Sequence, residues 1–177
     1  MKKLYHLGIG VIFTMAILLI STSSCASEHD ADYQALLEYY FAAARTADTE
    51  VLSEFINAGL PVDTQDSKGY SALMFTSYHG HYQATKLLLN KGANACLKDN
   101  RGNTALMAAI FKGEVKIAKQ LMNTQCNTDS QNNAGQTALM YASLFGREEL
   151  KAILIERGAD ITLEDSSGNS AMSLEKQ

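Results

Sequence analysis

Hydrophobic and polar positions along the chain follow a pattern that returns every 33 residues. The dipeptide Leu-Met stands at 73–74, 106–107 and 139–140, each time after a turn rich in Asp, Asn and Gly. A longer segment with apolar residues on one side follows in each period, as at 82–91. This spacing predicts two helices per period. Self-similarity at such a period is typical of an array of stacked units.

Glycines and hydroxyl residues recur in the same register. Glycines stand in the turns at 69, 102, 135 and 168, between the two predicted helices at 80, 113 and 146, and after the second helix at 59, 92 and 158. Turns and helix ends need the positive φ that glycine adopts without strain. Before the first helices stand hydroxyl residues that can cap a helix amino terminus, namely Ser71, Thr104, Thr137 and Ser170.

These signals predict an all-α solenoid with three full repeats between two terminal caps. The predicted units span about 33–65, 66–98, 99–131 and 132–164, with a partial cap over 165–177. The first helix of the amino-terminal unit is expected from about Tyr33 to Thr46. No single layer can bury its apolar face alone, so the layers must stack.

The repeated motif resembles the ankyrin repeat family over about residues 33 to 174. It is Asp/Asn-x-x-Gly-x-Ser/Thr-Ala-Leu-Met at 66–74, 99–107 and 132–140, with Gly80-His81 and the sequence Gly-Ala-Asp-Ile at 158–161. The family's Pro-Leu-His after the Thr is replaced by Ala-Leu-Met. The resemblance implies helix-turn-helix layers, no catalysis, and a partner protein bound on the concave face.

The same resemblance places recognition at the turn tips and on the outward side of the first helices. Aromatic, apolar and polar residues recur there, and we predict the following contacts with a partner: Tyr70, Tyr78, His79, Arg101, Asn103, Phe111, Lys112, Gln136, Leu144 and Phe145. The alternative is that the aromatic residues pack one layer on the next. Phe75 and Tyr141, one turn earlier, are expected in the core.

An export signal precedes the repeats. Lys2 and Lys3 lead into an apolar run at 7–20 followed by small polar residues, the order of a secretory signal peptide. We expect residues 1–27 to be removed by cleavage after Ala26 or Ser27. Lipidation of Cys25 is the alternative. The short leader is typical of bacteria, so we expect an exported protein in the periplasm, attached to a membrane only through a lipid on that cysteine.

The charge distribution argues against nucleic acid as a partner. The chain has 15 basic and 19 acidic residues, and removing residues 1–27 leaves 13 basic ones. Because the basic residues are scattered and form no run, a nucleic-acid partner is not expected. A hydrophobic content of 46% predicts a packed core rather than disorder.

No catalytic, cofactor or metal site is expected. His79 and His81 flank Gly80 and are half of a metal site at most, and the sequence shows no hydrolase or phosphate-loop motif. We predict that His81 fills the Gly-His position of the repeat and that His79 lies on the surface. The chain is therefore expected not to be an enzyme.

Two local features distinguish the middle of the array. Cys96 and Cys126 occupy different repeat positions, and layers about 10 Å apart exceed the reach of about 7 Å that a disulfide tolerates between α-carbons. Two separate thiols are expected, with a disulfide bond as the alternative.

Gln125 replaces the glycine that ends the second helix in the other units. A left-handed Gln125 would cost about 1 kcal/mol, and replacing it with glycine would then stabilise the protein.

We therefore predict a monomeric envelope protein that binds another protein without catalysis. An inhibitor or immunity protein against a toxin fits its small size, export and acidity. An accessory factor in envelope or oxidative-stress defence is the alternative, followed by a ligand-binding or metal-binding module at His79 and His81.

Overall fold

A computed structural model describes residues 26–175 of the chain. Cys25 and nearly all of the predicted signal peptide lie outside the described residues. Within them, the helices are α1 Ala26–Thr46, α2 Thr49–Asn57, α3 Ala72–Tyr78, α4 Tyr82–Asn90, α5 Ala105–Lys112, α6 Val115–Met122, α7 Ala138–Leu144, α8 Glu148–Glu156 and α9 Ala171–Leu174. This part of the chain contains no strand, only isolated β-bridges at Gln65–Ser71 and Glu164–Ser170.

The helices form two rows. The first helices α1, α3, α5, α7 and α9 pack side by side, and the second helices α2, α4, α6 and α8 form the other row. Fully buried side chains such as Leu73, Leu88 and Ile110 fill the space between the rows. The predicted all-α solenoid is confirmed. Helix α1 covers more residues than the expected segment, since it includes positions 26–32 as well.

Hydroxyl residues cap the first helices as the sequence predicts. The side chains of Ser71, Thr104 and Thr137 accept hydrogen bonds from the backbone N–H groups of Met74, Met107 and Met140 at 3.3, 3.4 and 3.2 Å. Each cap satisfies an N–H group that has no partner inside the helix. The start of each first helix is thereby fixed to the turn before it.

The turns also bond to one another across layers. The backbone N–H of Asn100 donates to Lys68 O at 3.0 Å, and that of Asn133 donates to Arg101 O at 2.9 Å. Side-chain amides repeat the link, because Asn133 Nδ2 donates to Asn100 O at 3.0 Å. The stacked turns therefore hold their tips at fixed positions beside the first helices.

Cys96 and Cys126 form a disulfide, so the expectation of two separate thiols is wrong. Their α-carbons lie 5.3 Å apart. The distance is short because the bond joins residues 30 apart in sequence, not residues at equivalent positions 33 apart. The layer spacing therefore overestimates the distance between the two cysteines.

The disulfide occupies a position where the other layers use a hydrogen bond. Asp63 Oδ1 accepts from Asn94 N at 2.8 Å, and Asp129 Oδ1 accepts from Asp160 N at 3.0 Å. Cys96 stands 33 residues after Asp63 and 33 before Asp129. At the middle junction, a covalent bond thus replaces the contact between an aspartate and a backbone N–H group.

The expectation of a strained Gln125 is also wrong. Among residues 26–175, Ala47 is the one non-glycine residue with positive φ. Helix α6 ends at Met122, its C-cap residue Asn123 has φ −84°, and Thr124 then bonds through its backbone N–H and its hydroxyl to Leu121 O. Because the chain leaves the helix by this different route, replacing Gln125 with glycine has no strain to relieve.

Candidate interaction groove

An open groove of about 370 Å³ runs between the turns and the first helices of the first two full repeats. We call it the aromatic groove. It is lined by Tyr70, Met74, Phe75, Tyr78, Asp99, Arg101, Asn103, Thr104, Met107, Ala108, Phe111 and Tyr141. The capped helices and the stacked turns fix its two sides, so the groove is formed before any partner arrives.

Half of the ten residues predicted to contact a partner line this groove, namely Tyr70, Tyr78, Arg101, Asn103 and Phe111. His79 and Lys112 lie beside Tyr78, and Phe145 lies against Phe111. Gln136 Oε1 accepts from Asn132 Nδ2 at 3.3 Å within its own turn. Leu144 is exposed and lies outside the groove lining.

Three rings form a continuous row at the carboxyl ends of the first helices. Tyr78 and Phe111 stack with centroids 6.0 Å apart, and Phe111 meets Phe145 edge-on at 4.7 Å. Tyr78 and Phe111 remain 39% and 38% exposed, which is high for large aromatic side chains that already pack on neighbours. Such pairs each contribute about 0.5–1.5 kcal/mol beyond area burial. The row is thus ordered yet accessible.

Phe75 and Tyr141 pack against the hydrophobic core as expected, but both are only half-buried and also line the groove. Phe75 packs against Phe41 at 5.7 Å and Tyr70 at 5.6 Å, and it also lines the groove. Each ring is covered by neighbours on one side while the opening between turns and helices exposes the other. Met74 and Met107 also line the groove, although they are absent from the residues predicted to contact a partner. The Leu-Met dipeptide that recurs in each repeat is the sequence feature that could have indicated it.

Asn103 organises the polar side of the groove. Its Oδ1 accepts from the hydroxyl of Tyr141 at 3.0 Å and from Asn132 Nδ2 at 2.8 Å. Its Nδ2 donates to Asp99 Oδ2 at 3.1 Å. The other oxygen of Asp99 accepts from the backbone N–H groups of Arg101 and Asn103 at 2.8 and 2.7 Å. The buried carboxylate is therefore occupied by its own turn.

Burial raises the pKa of the Tyr141 hydroxyl, with Asp99 adding to the shift and the Asn132 hydrogen bond and Arg101 opposing it. The hydroxyl therefore keeps its proton at neutral pH. It remains a hydrogen-bond donor to Asn103.

Cationic groups lie over the aromatic rings. Lys112 Nζ is 5.1 Å from the centroid of Tyr78, and Arg45 Cζ is 5.0 Å from that of Phe75. These distances are within the range of cation–π attraction. Burial, followed by the nearby His81, Lys112 and Arg45, lowers the pKa of His79. Burial and the positive neighbours therefore both disfavour a proton on His79.

His81 has a structural contact. Its Nε2 lies 2.8 Å from the backbone O of Arg45 at the end of α1. Arg147, two repeats later, donates to Phe111 O at 2.9 Å at the end of α5.

Among the described residues, no group of three His, Cys, Asp or Glu side chains is arranged to hold a metal ion. Across that same range, no helix combines the length and apolarity needed to cross a membrane.

The known proteins that this chain resembles all contain ankyrin repeats. A family model described as ankyrin repeats in three copies matches residues 40–132 and 92–165. A putative ankyrin repeat protein of Pseudomonas aeruginosa is 35% identical over 37% of the chain and 39% of its own length. Ankyrin repeat domain-containing protein 29 of Danio rerio is 40% identical over 30% of the chain and 18% of its own length.

A longer protein of Echinops telfairi, named ankyrin repeat, SAM and basic leucine zipper domain-containing protein 1, is 38% identical over 33% of the chain. The chain spans 12% of that protein's length. In all three relatives the chain thus matches less than half of the whole protein.

Proposed function

Because the chain belongs to the ankyrin repeat family, whose repeats are generally protein–protein interaction modules, we propose that it binds another protein in the aromatic groove. The family is a non-enzymatic scaffold, and the proposed role involves no catalysis. The observation that carries the proposal is the stacked pair Tyr78 and Phe111, which is ordered by contacts within the protein and still more than one third exposed.

The physical properties of the groove favour tight binding. Large aromatic side chains dominate the energetics of protein interfaces. Here each ring is already held by its neighbours, so little side-chain freedom is lost when a partner arrives. The hydroxyl of Tyr70 and the side chains of Arg101 and Asn103 surround the rings with polar groups. A partner segment with apolar side chains and polar flanks fits this arrangement.

The proposal includes export to the bacterial envelope. The leader at 1–27 supports it, and so does the disulfide between Cys96 and Cys126, since disulfides persist in oxidising compartments. Mass spectrometry of the mature amino terminus tests this point. A start at Ser27 or Glu28 supports a free periplasmic protein, and a diacylglyceryl group on Cys25 supports a membrane-anchored one. An uncleaved leader contradicts export by this route.

Within the envelope, we propose that the protein holds its partner as an inhibitor or immunity protein. The predicted export signal and the acidity of the chain support this role. An accessory role in envelope or oxidative-stress defence is the second proposal, supported by the disulfide staple in a folded repeat array. Deletion of the gene separates the two. Sensitivity to toxins encoded nearby supports immunity, and sensitivity to oxidants alone supports the accessory role.

Affinity capture of a partner from periplasmic extract tests the groove. We expect Tyr78→Ala and Phe111→Ala each to lower partner recovery at least about tenfold, as loss of an interface hot spot does. Ile155→Ala is the matched control, because Ile155 is 43% exposed on the second helix α8. Leu144→Ala tests whether the surface extends to the next repeat. Full recovery with both aromatic variants would show that the groove is not the binding site.

A further inference from the structure

We propose that the segment bound in the aromatic groove is acidic, with carboxylate side chains next to apolar or aromatic ones. This inference rests on the proposed function and specifies the chemistry of its partner. It follows from the groups that surround the exposed rings.

The basic side chains at the groove are available to a ligand. Arg101 lines the groove, and Lys112 lies over the ring of Tyr78. Within residues 26–175, neither side chain takes part in an ion pair or donates a hydrogen bond to another side chain or carbonyl. Arg45 lies over Phe75 and contacts the exposed Glu38 at 3.6 Å. Exposed pairs of this kind are weak and exchange readily.

No lining carboxylate competes for these cations. Asp99 is the acidic member of the lining set, it is 8% exposed, and both of its oxygens accept hydrogen bonds from its own turn. The chain as a whole has 19 acidic and 15 basic residues. The protein is net acidic, but the rim of the groove is positive. An acidic ligand is complementary to that local charge.

The arrangement also suits mixed acidic and apolar side chains. A guanidinium offers paired donors that match a carboxylate, and the Arg101 side chain has none of them committed within the described residues. The stacked rings of Tyr78 and Phe111 line the same groove as Arg101 and provide the apolar contact. Single-stranded nucleic acid also combines negative charge with flat rings, but its backbone is bound through a run of Lys and Arg contacts to successive phosphates, and the groove offers only Arg101, Lys112 and Arg45 among the described residues.

Fluorescence anisotropy with synthetic peptides tests the inference on the full mature protein. Three peptides of equal length share the same Phe and Leu positions and carry Glu and Asp, Lys, or Gln and Asn between them. We expect the acidic peptide to bind at least about tenfold more tightly than the neutral one at low salt. The advantage should shrink as salt rises, because screening shortens the reach of the rim charges.

The double variant Arg101→Glu with Lys112→Glu should lose the acidic peptide and gain the basic one. Lys86→Glu with Lys116→Glu is the matched control, because both lysines are exposed on second helices and the charge change is the same. Thermal unfolding of both variants confirms folding. Should the groove variant unfold, the salt dependence measured on the unaltered protein still decides the question.

Other outcomes count against the inference. It is overturned if the neutral or basic peptide binds as well as the acidic one, if none of the three binds, or if hexathymidylate binds as tightly as the acidic peptide. The proposed function fails by a different result, namely full recovery of the partner with both Tyr78→Ala and Phe111→Ala. If Phe111→Ala loses the captured partner while the charge-reversal variant keeps it, the groove binds a protein but the acidic segment is wrong.

Discussion

At the scale of single residues, Asn103 holds together two turns and a helix. Replacing Asn103 with Ala leaves the hydroxyl of Tyr141 and the amide of Asn132 without the acceptor they share. Half-buried polar groups that lose a partner cost about 1–3 kcal/mol. We therefore expect Asn103→Ala to lower the free energy of unfolding by about that amount, measured by urea denaturation.

Asn169→Ala is the control for this prediction. Asn169 occupies the equivalent position two repeats later, and its Nδ2 contacts Asp165 in its own turn at 3.2 Å. It therefore lacks the contact between layers, and its replacement should cost less. Equal losses in the two variants would show that Asn103 acts only within its turn.

His79 should make stability depend on pH. Its folded-state pKa lies below the ordinary 6.5, first through burial and then through His81, Lys112 and Arg45. The unfolded chain therefore binds a proton more readily than the folded one, and stability rises with pH across this window. We expect stability to be fully present above about 6.5 and to fall as the pH drops through the folded pKa.

Because His79 is exposed, the change in stability should be small, and its pKa is best followed by NMR of its ring proton. Lys112→Gln removes one of the positive neighbours and should move that pKa upwards. His79→Gln should flatten the pH dependence of urea unfolding. An unchanged pKa in Lys112→Gln would show that the lysine over Tyr78 does not act on His79.

At the scale of elements, the loops after the second helices determine how firmly the middle layers are joined. The Cys96–Cys126 bond closes a loop of sequence separation 30, for which chain entropy gives a stabilisation of about 3–4 kcal/mol. We expect reduction, or replacement of both cysteines by Ala, to lower the unfolding free energy by about that amount. Differential scanning calorimetry with and without reductant measures the change.

The structure offers a matched variant for this disulfide. Asp63 and Asp129 make a hydrogen bond at the equivalent junctions, so Cys96→Asp combined with Cys126→Ala should recover part of the loss, about 1 kcal/mol. Reductant should have no effect on either double variant. If the aspartate variant is no more stable than the alanine one, the loop at 122–127 does not bring a backbone N–H within reach.

The structure of the loop at 122–127 could not be predicted from the sequence. Helices, caps and left-handed glycines follow from local signals that repeat at 33 residues, and the structure places Thr104 and Gly102 as the pattern predicts. Cys96 and Cys126 break that register by three residues, so layer spacing gives the wrong distance between them. Gln125 escapes strain because helix α6 ends one residue earlier in the repeat than α4 and α8, and Thr124 then bonds to Leu121 O. No single-residue rule determines that earlier end.

At the scale of the whole molecule, the groove shows a second limit of sequence reasoning. Tyr78 and Phe111 are recognisable because they recur at one surface position of the repeat. Phe75 and Tyr141 look like core residues one turn earlier, and only the gap between turns and first helices turns one side of each ring outwards. The repeat period thus predicts which helix carries a residue. How deeply its side chain is buried in the groove depends on the packing of two neighbouring layers.

The short helix α9 is the last helix of the described residues, and its removal tests whether the layers behave independently. Ala171 and Leu174 are 3% and 7% exposed, and α9 packs on α7. Deleting residues 165–177 should lower the unfolding free energy by about 2–5 kcal/mol, as loss of a buried leucine does. Because each repeat contacts only its neighbours, hydrogen exchange should accelerate in α7 and α8 while α3 and α5 keep their protection and the groove keeps its ligand. Leu174→Ala should produce the same pattern to a smaller extent, whereas uniform acceleration in all helices would mean that the array opens as one unit.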